Sequence, residues 1–173
     1  MPGLPGMRAC PSDAESIVTT NVGLAHFLEE STEGWGVTSA VALDPEDGAN
    51  LFVSPVEGTA VIHNTALDPA GKKGLALKTT KECGDMELHV EFLVSEGSNS
   101  GIYVMGRYEV QILDSYGKSD DEIGVHDCGA IYERWNEAEE DKKKRGYEGS
   151  VPISNASRPA GEWQSLDITF KAP

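Results

Sequence analysis

Between residues 87 and 132 the chain alternates. The stretch ELHVEFLVSEGSNSGIYVMGRYEVQILDSYGKSDDEIGVHDCGAIY holds three strand-like runs in which polar and apolar residues take turns. A β-strand sends successive side chains to opposite faces, so a period of two predicts one packed face and one open face. Paired into one sheet, the runs put His89, Glu91, Tyr103, Arg107, Glu109 and Gln111 on one surface. Leu88, Val90, Phe92, Ile102, Val104, Tyr108, Val110 and Ile112 fall on the other, as a core. The pattern predicts strands over 86–94, 101–105 and 107–113. A Ser/Gly/Asn turn over 95–100 and a break at Gly106 separate them, and Asp114-Ser115-Tyr116-Gly117 leaves the sheet.

Elsewhere the signal is shorter. Trp35-Gly36-Val37 begins the ordered part, strands are expected over 51–53, 59–62 and 75–79, and 166–170 alternates again. A loop of Pro, Gly and Lys covers 68–74, and 24–28 is a short apolar patch. Residues 1–20 are expected to be a flexible leader, and 21–173 a single domain with a charged insertion at about 133–151. Many short strands, frequent turn residues and scant helix predict an all-β jelly-roll sandwich of two antiparallel sheets. A sandwich covers its edges, yet the chain stops just after a strand-like run, so its last strands are expected to be missing.

Composition narrows the function classes. At 173 residues the chain suits one domain with a proper core. A formal charge of −15 argues against nucleic acid as a partner, because phosphate-backbone binders carry basic patches. The basic cluster Lys142-Lys143-Lys144-Arg145 directly follows Glu139-Glu140-Asp141. Glu139 with Lys143 and Glu140 with Lys144 then predict a solvated helical turn. Cys10, Cys83 and Cys128 have no metal-ligand spacing and suggest no disulfide framework. No apolar run approaches the ~18 residues of a membrane span. The N-terminal MPGLPGMRACPSDAES lacks the basic start and apolar stretch of a signal peptide.

The strings GDMELHVEFLV, NSGIYVMGRYEVQILDSYG, DCGAIY and NASRPAGEWQSLDITFKAP resemble the bacterial 3-keto-disaccharide hydrolase domain, long labelled a domain of unknown function. The resemblance runs from about Trp35 to Pro173 and is most specific in its second half. Family members continue past the DITFKAP-like strand, and the segment over 133–151 is longer and more charged here than the family pattern. The resemblance implies a concanavalin-A-like sandwich whose concave face handles a small carbohydrate. It also implies a periplasmic or extracellular location, and activity on glycosides already oxidised at C3 to a ketone.

Such a ketone acidifies the C2 proton. A base removes it, the enediolate expels the C1 oxygen, and water can then add; hydrolysis and elimination share that first half. The route needs a base, a stabiliser for the enediolate oxygen and an acid for the leaving group. Glu109 and His89 are the base or acid candidates, and Arg107 can balance negative charge. Gln111, Tyr103, Asn99 and Glu91 are candidates for holding hydroxyls. His126, in a turn beyond the strands, is either a rim proton carrier or an exposed loop histidine. His89 has the stronger claim from strand periodicity, its alternative being a pairing with Glu91 across a polar surface.

Competing readings stay open. The run Glu109-Val110-Gln111-Ile112-Leu113-Asp114 resembles the paired-acid strand of retaining glucanases, but Gln111 stands where an acid would, and Asp114 has the opposite parity. A conventional retaining glycosidase needs two carboxyls ~5 Å apart. Asp114, Asp120, Asp121, Glu122 and Asp127 form an acidic group; a hard cation such as calcium would choose Asp114 and Asp127, though a solvated loop is the preferred reading and no metal is assigned. Asn155-Ala156-Ser157-Arg158-Pro159 reads as an Asn/Ser-stabilised turn, with Arg158 leaning over the sheet to bind sugar as the alternative. Trp163 is read as packing at an edge rather than stacking on sugar. A non-catalytic carbohydrate-binding sandwich remains the alternative to an enzyme.

Overall fold

The computed structural model describes residues 35–38, 40–46, 48, 51–54, 61–64, 84–141 and 144–173. Their regular elements are β-strands, with no α-helix among the described residues. In chain order they are β1 (Trp35–Thr38), β2 (Ala40–Leu43), β3 (Leu51–Ser54), β4 (Val61–Asn64), β5 (Met86–Phe92), β6 (Asn99–Val104), β7 (Tyr108–Leu113), β8 (Arg134–Trp135), β9 (Gly146–Tyr147) and β10 (Gln164–Phe170). Pairs β1–β4, β6–β7 and β8–β9 are antiparallel. Strand β2 pairs with β3, and β5 with β10. The all-β antiparallel class predicted from the alternation is therefore observed, and it is consistent with a β-sandwich. The expected leader over 1–20, the apolar patch at 24–28, the loop at 68–74 and the strand at 75–79 lie outside the described residues.

The chain groups into two compact units. One comprises Met1–Ala42, Leu51–Val90 and Asp167–Pro173. Here β1 and β4 pair from Trp35↔Asn64 to Thr38↔Val61. His89 Nδ1 meets Asp167 Oδ1 at 2.7 Å, and the Ala172 N–H donates to Asp85 at 2.9 Å. Residue numbers thus rise along β5 as they fall along β10, the antiparallel sense. Burial along β10 alternates residue by residue, as a strand with one wet face must.

The other unit comprises Leu43–Asn50 and Glu91–Leu166. Its centre is the β6–β7 hairpin, paired from Asn99↔Leu113 to Val104↔Tyr108. Met105 and Gly106 turn the hairpin with φ of 55° and 61°, the consecutive left-handed residues that tight hairpins favour. On its second edge β7 meets the segment after the acidic loop. Gln111 and Ala130 bond at 2.9 Å, the Gly129 N–H donates to Gln111 O at 2.8 Å, and Val110 bridges Ile131. Val104, Val110 and Ile112 project to the predicted core face and are buried, with Val94 and Ile123. Each such aliphatic side chain contributes about 1.5–3 kcal/mol by leaving water.

The charged insertion departs from expectation. It adds the β8–β9 pair, Arg134↔Tyr147 and Trp135↔Gly146. Between these strands, where a helical turn was expected, residues 142–143 lie outside the described residues, and the Lys144 N–H donates to the Asp141 carbonyl at 2.9 Å, an i→i+3 turn bond. Arg134 braces the strand pair. Its guanidinium lies 5.0 Å from the Tyr147 ring and 6.0 Å from Tyr108, and it is ion-paired with Glu148. Lys144 pairs with Asp141 at 3.6 Å, and Arg145 Nε donates to the Glu139 carbonyl at 2.7 Å.

Candidate functional site

Residues opposed across antiparallel strands share a face, so the register of β7 with both neighbours places side chains in rows. One row is Tyr103, Glu109 and Tyr132: Tyr103 pairs with Glu109, and the Tyr132 N–H donates to Glu109 O at 2.9 Å. The next row is Gly101, Gln111 and Ala130. The two rows differ in access. Tyr103 is 62% exposed, whereas Gln111 is 1% and Ala130 0% exposed. The polar face predicted from periodicity is thus open at one end and closed at the other, with Glu109 at the boundary.

Glu109 is oriented by its neighbours. The Tyr103 hydroxyl donates to Glu109 Oε2 at 2.6 Å, a short charge-assisted bond. Gly101 leaves space for the carboxylate to lie along the sheet, since a Cβ there would fall 2.8 Å from Glu109 Cγ and 2.9 Å from Cδ. Accepting from Tyr103 leaves Oε1 without a hydrogen-bond partner among the described residues. That same bond, with burial and the Glu109 charge behind it, pushes the Tyr103 phenol up to about 12. Tyr103 is accordingly a proton holder at any physiological pH.

Gln111 donates through Nε2 to Asn99 Oδ1 at 3.1 Å, and its buried Oε1 has no partner. Sequence placed Gln111 on an open polar surface; the structure corrects this to a buried amide with one unspent acceptor. An unmet buried polar atom costs about 1–3 kcal/mol, so such atoms cluster where a ligand or water completes them. His126 is exposed and packs edge-on against Tyr132, ring centroids 4.8 Å apart. Through Tyr132, a residue the sequence reading passed over, His126 reaches the Glu109 row. The signal was the alternation of Ala130-Ile131-Tyr132 after Gly129.

Other candidates lie elsewhere. Arg107 sits in the hairpin turn rather than on β7, with its guanidinium 5.6 Å from the Tyr108 ring. Tyr108 has the opposite parity to Glu109, so Arg107 is drawn away from the carboxylate instead of sharing its face. His89 belongs to the other unit and is paired with Asp167 rather than Glu91. Glu91 and Arg158 line a separate cleft of about 440 Å³ within the second unit.

The acidic loop is tied together by hydrogen bonds. Asp127, 5% exposed, accepts from Ser115 Oγ at 2.8 Å, Lys118 Nζ at 2.6 Å and the Gly124 N–H at 2.8 Å. Burial opposes its charge, but the Lys118 ammonium, the Gly124 N–H and the Ser115 hydroxyl outweigh it and lower the carboxyl pKa. Asp114 accepts from the Gly97 N–H at 2.9 Å. Among the described residues no three His, Cys, Asp or Glu side chains converge as a metal site. The turn at Asn155 closes over this loop: Nδ2 donates to the Ser115 and Lys118 carbonyls at 2.8 and 2.9 Å.

Comparison with known proteins adds one finding to this geometry. The family model of the 3-keto-alpha-glucoside-1,2-lyase-like domain matches residues 27–173. No curated protein and no solved structure matches the chain. The match spans most of the sequence, and the chain belongs to the 3-keto-alpha-glucoside-1,2-lyase-like domain family, which carries a carbohydrate-related function.

Proposed function

Taking that family membership as premise, we propose that the protein cleaves glycosides oxidised at C3, using the Glu109 row as its catalytic face. The observation that carries this reading is Glu109 itself: one oxygen held by Tyr103, the other lying over Gly101 with no hydrogen-bond partner among the described residues. Glu109 Oε1 takes the C2 proton. The C–H electron pair moves toward the C3 ketone as an enediolate and then forms the C1–C2 double bond as the C1–O bond breaks. His126 donates the proton that the departing oxygen needs. The Tyr103 hydroxyl, whose one proton is donated to Glu109 Oε2, holds the carboxylate in position for the proton abstraction. Gln111, its amide held by Asn99, is the buried continuation of this face and supports the row from below rather than touching substrate. Water added across the new double bond gives overall hydrolysis.

A single carboxylate serves as base on this route, which suits a face with Gln111 where a second acid would stand. The jelly-roll topology expected from sequence would present this face as a concave surface. The test is to offer a 3-keto-glucoside and its unoxidised parent in D₂O. Turnover of only the keto form, with deuterium entering C2 of the sugar product, supports the reading. Cleavage of the unoxidised glycoside with C2 hydrogen retained would show direct displacement and overturn it.

A further inference from the structure

The cleft of about 440 Å³ in the second unit shares no residue with the Glu109 row. Its walls include Ser157, Arg158, Trp163 and Gln164 beside Glu91 and Cys128. Two lining residues carry buried polar atoms without partners, Ser157 Oγ and Gln164 Nε2. The Arg158 N–H donates to Gln164 Oε1 at 3.2 Å, which assigns the carbonyl end of that amide and leaves Nε2 as the donor with no acceptor. Ser157 is held by its own N–H, bonded to Asn155 Oδ1 at 3.1 Å. The Asn155 turn thus fixes both orphan groups in a rigid frame.

Trp163 is 42% exposed and lines the same cleft. An indole surface next to fixed, unmet hydrogen-bonding groups suits a ligand that is apolar on its faces and hydroxylated at its edges. A pyranose ring has that character. Its axial C–H groups can lie on the indole while a hydroxyl accepts from Gln164 Nε2, and a second exchanges a hydrogen bond with Ser157 Oγ. The volume lies within the range of about 300–1,000 Å³ typical of small-ligand sites. We infer that this cleft is a carbohydrate-binding site in its own right, taking a neutral sugar unit through Trp163, Gln164 and Ser157. It needs no oxidised carbon and does not depend on the reaction at Glu109.

Maltose, unoxidised, is the probe. Titration should quench tryptophan fluorescence saturably, and bound sugar should slow alkylation of Cys128 at least fivefold, read by peptide-resolved mass spectrometry. Trp163→Ala should weaken binding tenfold or more. Arg158→Ala, which removes an exposed side chain and keeps its backbone bond to Gln164, should weaken it about threefold and guards against a misfolded Trp163 variant. Glu109→Gln should bind as the wild type does. Absence of saturable binding, wild-type affinity in both cleft variants, or loss of binding in Glu109→Gln would each overturn the inference. Glucuronate binding more tightly than maltose would overturn the assignment to a neutral sugar. Maltose binding in a protein inert toward 3-keto-glycosides would sink only the proposed reaction.

Discussion

Glu109 and Asp127 are carboxylates of the same unit, and they differ in how many donors surround them. Asp127 is buried and meets a hydroxyl, an ammonium and a backbone N–H. Glu109 is part-buried, receives one phenol hydroxyl, and keeps an oxygen in hand. A saturated carboxylate locks the loops around it. One with spare capacity can still take a proton from something else. By composition the acidic loop read as solvated; Asp127 is instead buried, with the Lys118 ammonium 2.6 Å from its Oδ1.

The comparison can be broken by substitution. Glu109→Gln should lower turnover of a 3-keto-glucoside by about 10³-fold, within the range for loss of a general base, while the thermal midpoint stays nearly constant. A variant that unfolds, or one that keeps activity, would erase the contrast. Asp127→Ala should do the reverse, costing about 3 kcal/mol in chemical denaturation because Ser115 and Gly124 lose a charged acceptor. Its dependence on pH has a definite sign. The folded carboxyl pKa is lowered, so its contribution is complete above the ordinary carboxylate range and disappears as pH falls through the folded value. Wild type should therefore lose stability in acid more steeply than Asp127→Ala.

Smaller effects sharpen the picture. Tyr103→Phe removes the donor on Glu109 and should reduce turnover about 30-fold, less than loss of the carboxylate. In wild type the Tyr103 phenol should ionise near pH 12 in a spectrophotometric titration, and Glu109→Gln should return it toward about 10. Any stability gained from that raised phenol pKa is complete below the ordinary tyrosine value and lost as pH rises through the folded one. Asn155→Ala should cost about 1–2 kcal/mol by releasing two carbonyls, with little change in turnover.

Period-two alternation located the strands that matter. Expected strands at 86–94, 101–105, 107–113 and 166–170 overlap β5, β6, β7 and β10, and the core face of Val104, Val110 and Ile112 was assigned correctly. Alternation works there because successive side chains take opposite faces, although on β7 the buried Gln111 makes both faces dry at that point. It gave no sign of the short β8–β9 pair, which the aromatic rings around Arg134 brace and which flanks the segment where the charge pattern predicted a helical turn. It could not show the acidic loop as a clasp, because the contacts from Asn155 to Ser115 and Lys118 span 40 and 37 residues.

For the site, the amino-acid sequence by itself determined which side chains share the β6–β7 face, since parity depends only on position along a strand. The third member of the Glu109 row, Tyr132, required knowing what pairs with the far edge of β7. Burial of Gln111, diversion of Arg107 to Tyr108 and the pairing of His89 with Asp167 also emerged only from the tertiary structure. Each depends on residues distant in the chain or on the path of a turn, and a periodic pattern carries no information about either. The same limit hid the open oxygen of Glu109 and the unmet groups of the Trp163 cleft, because a free hydrogen-bonding capacity is defined by what the rest of the fold leaves unfilled.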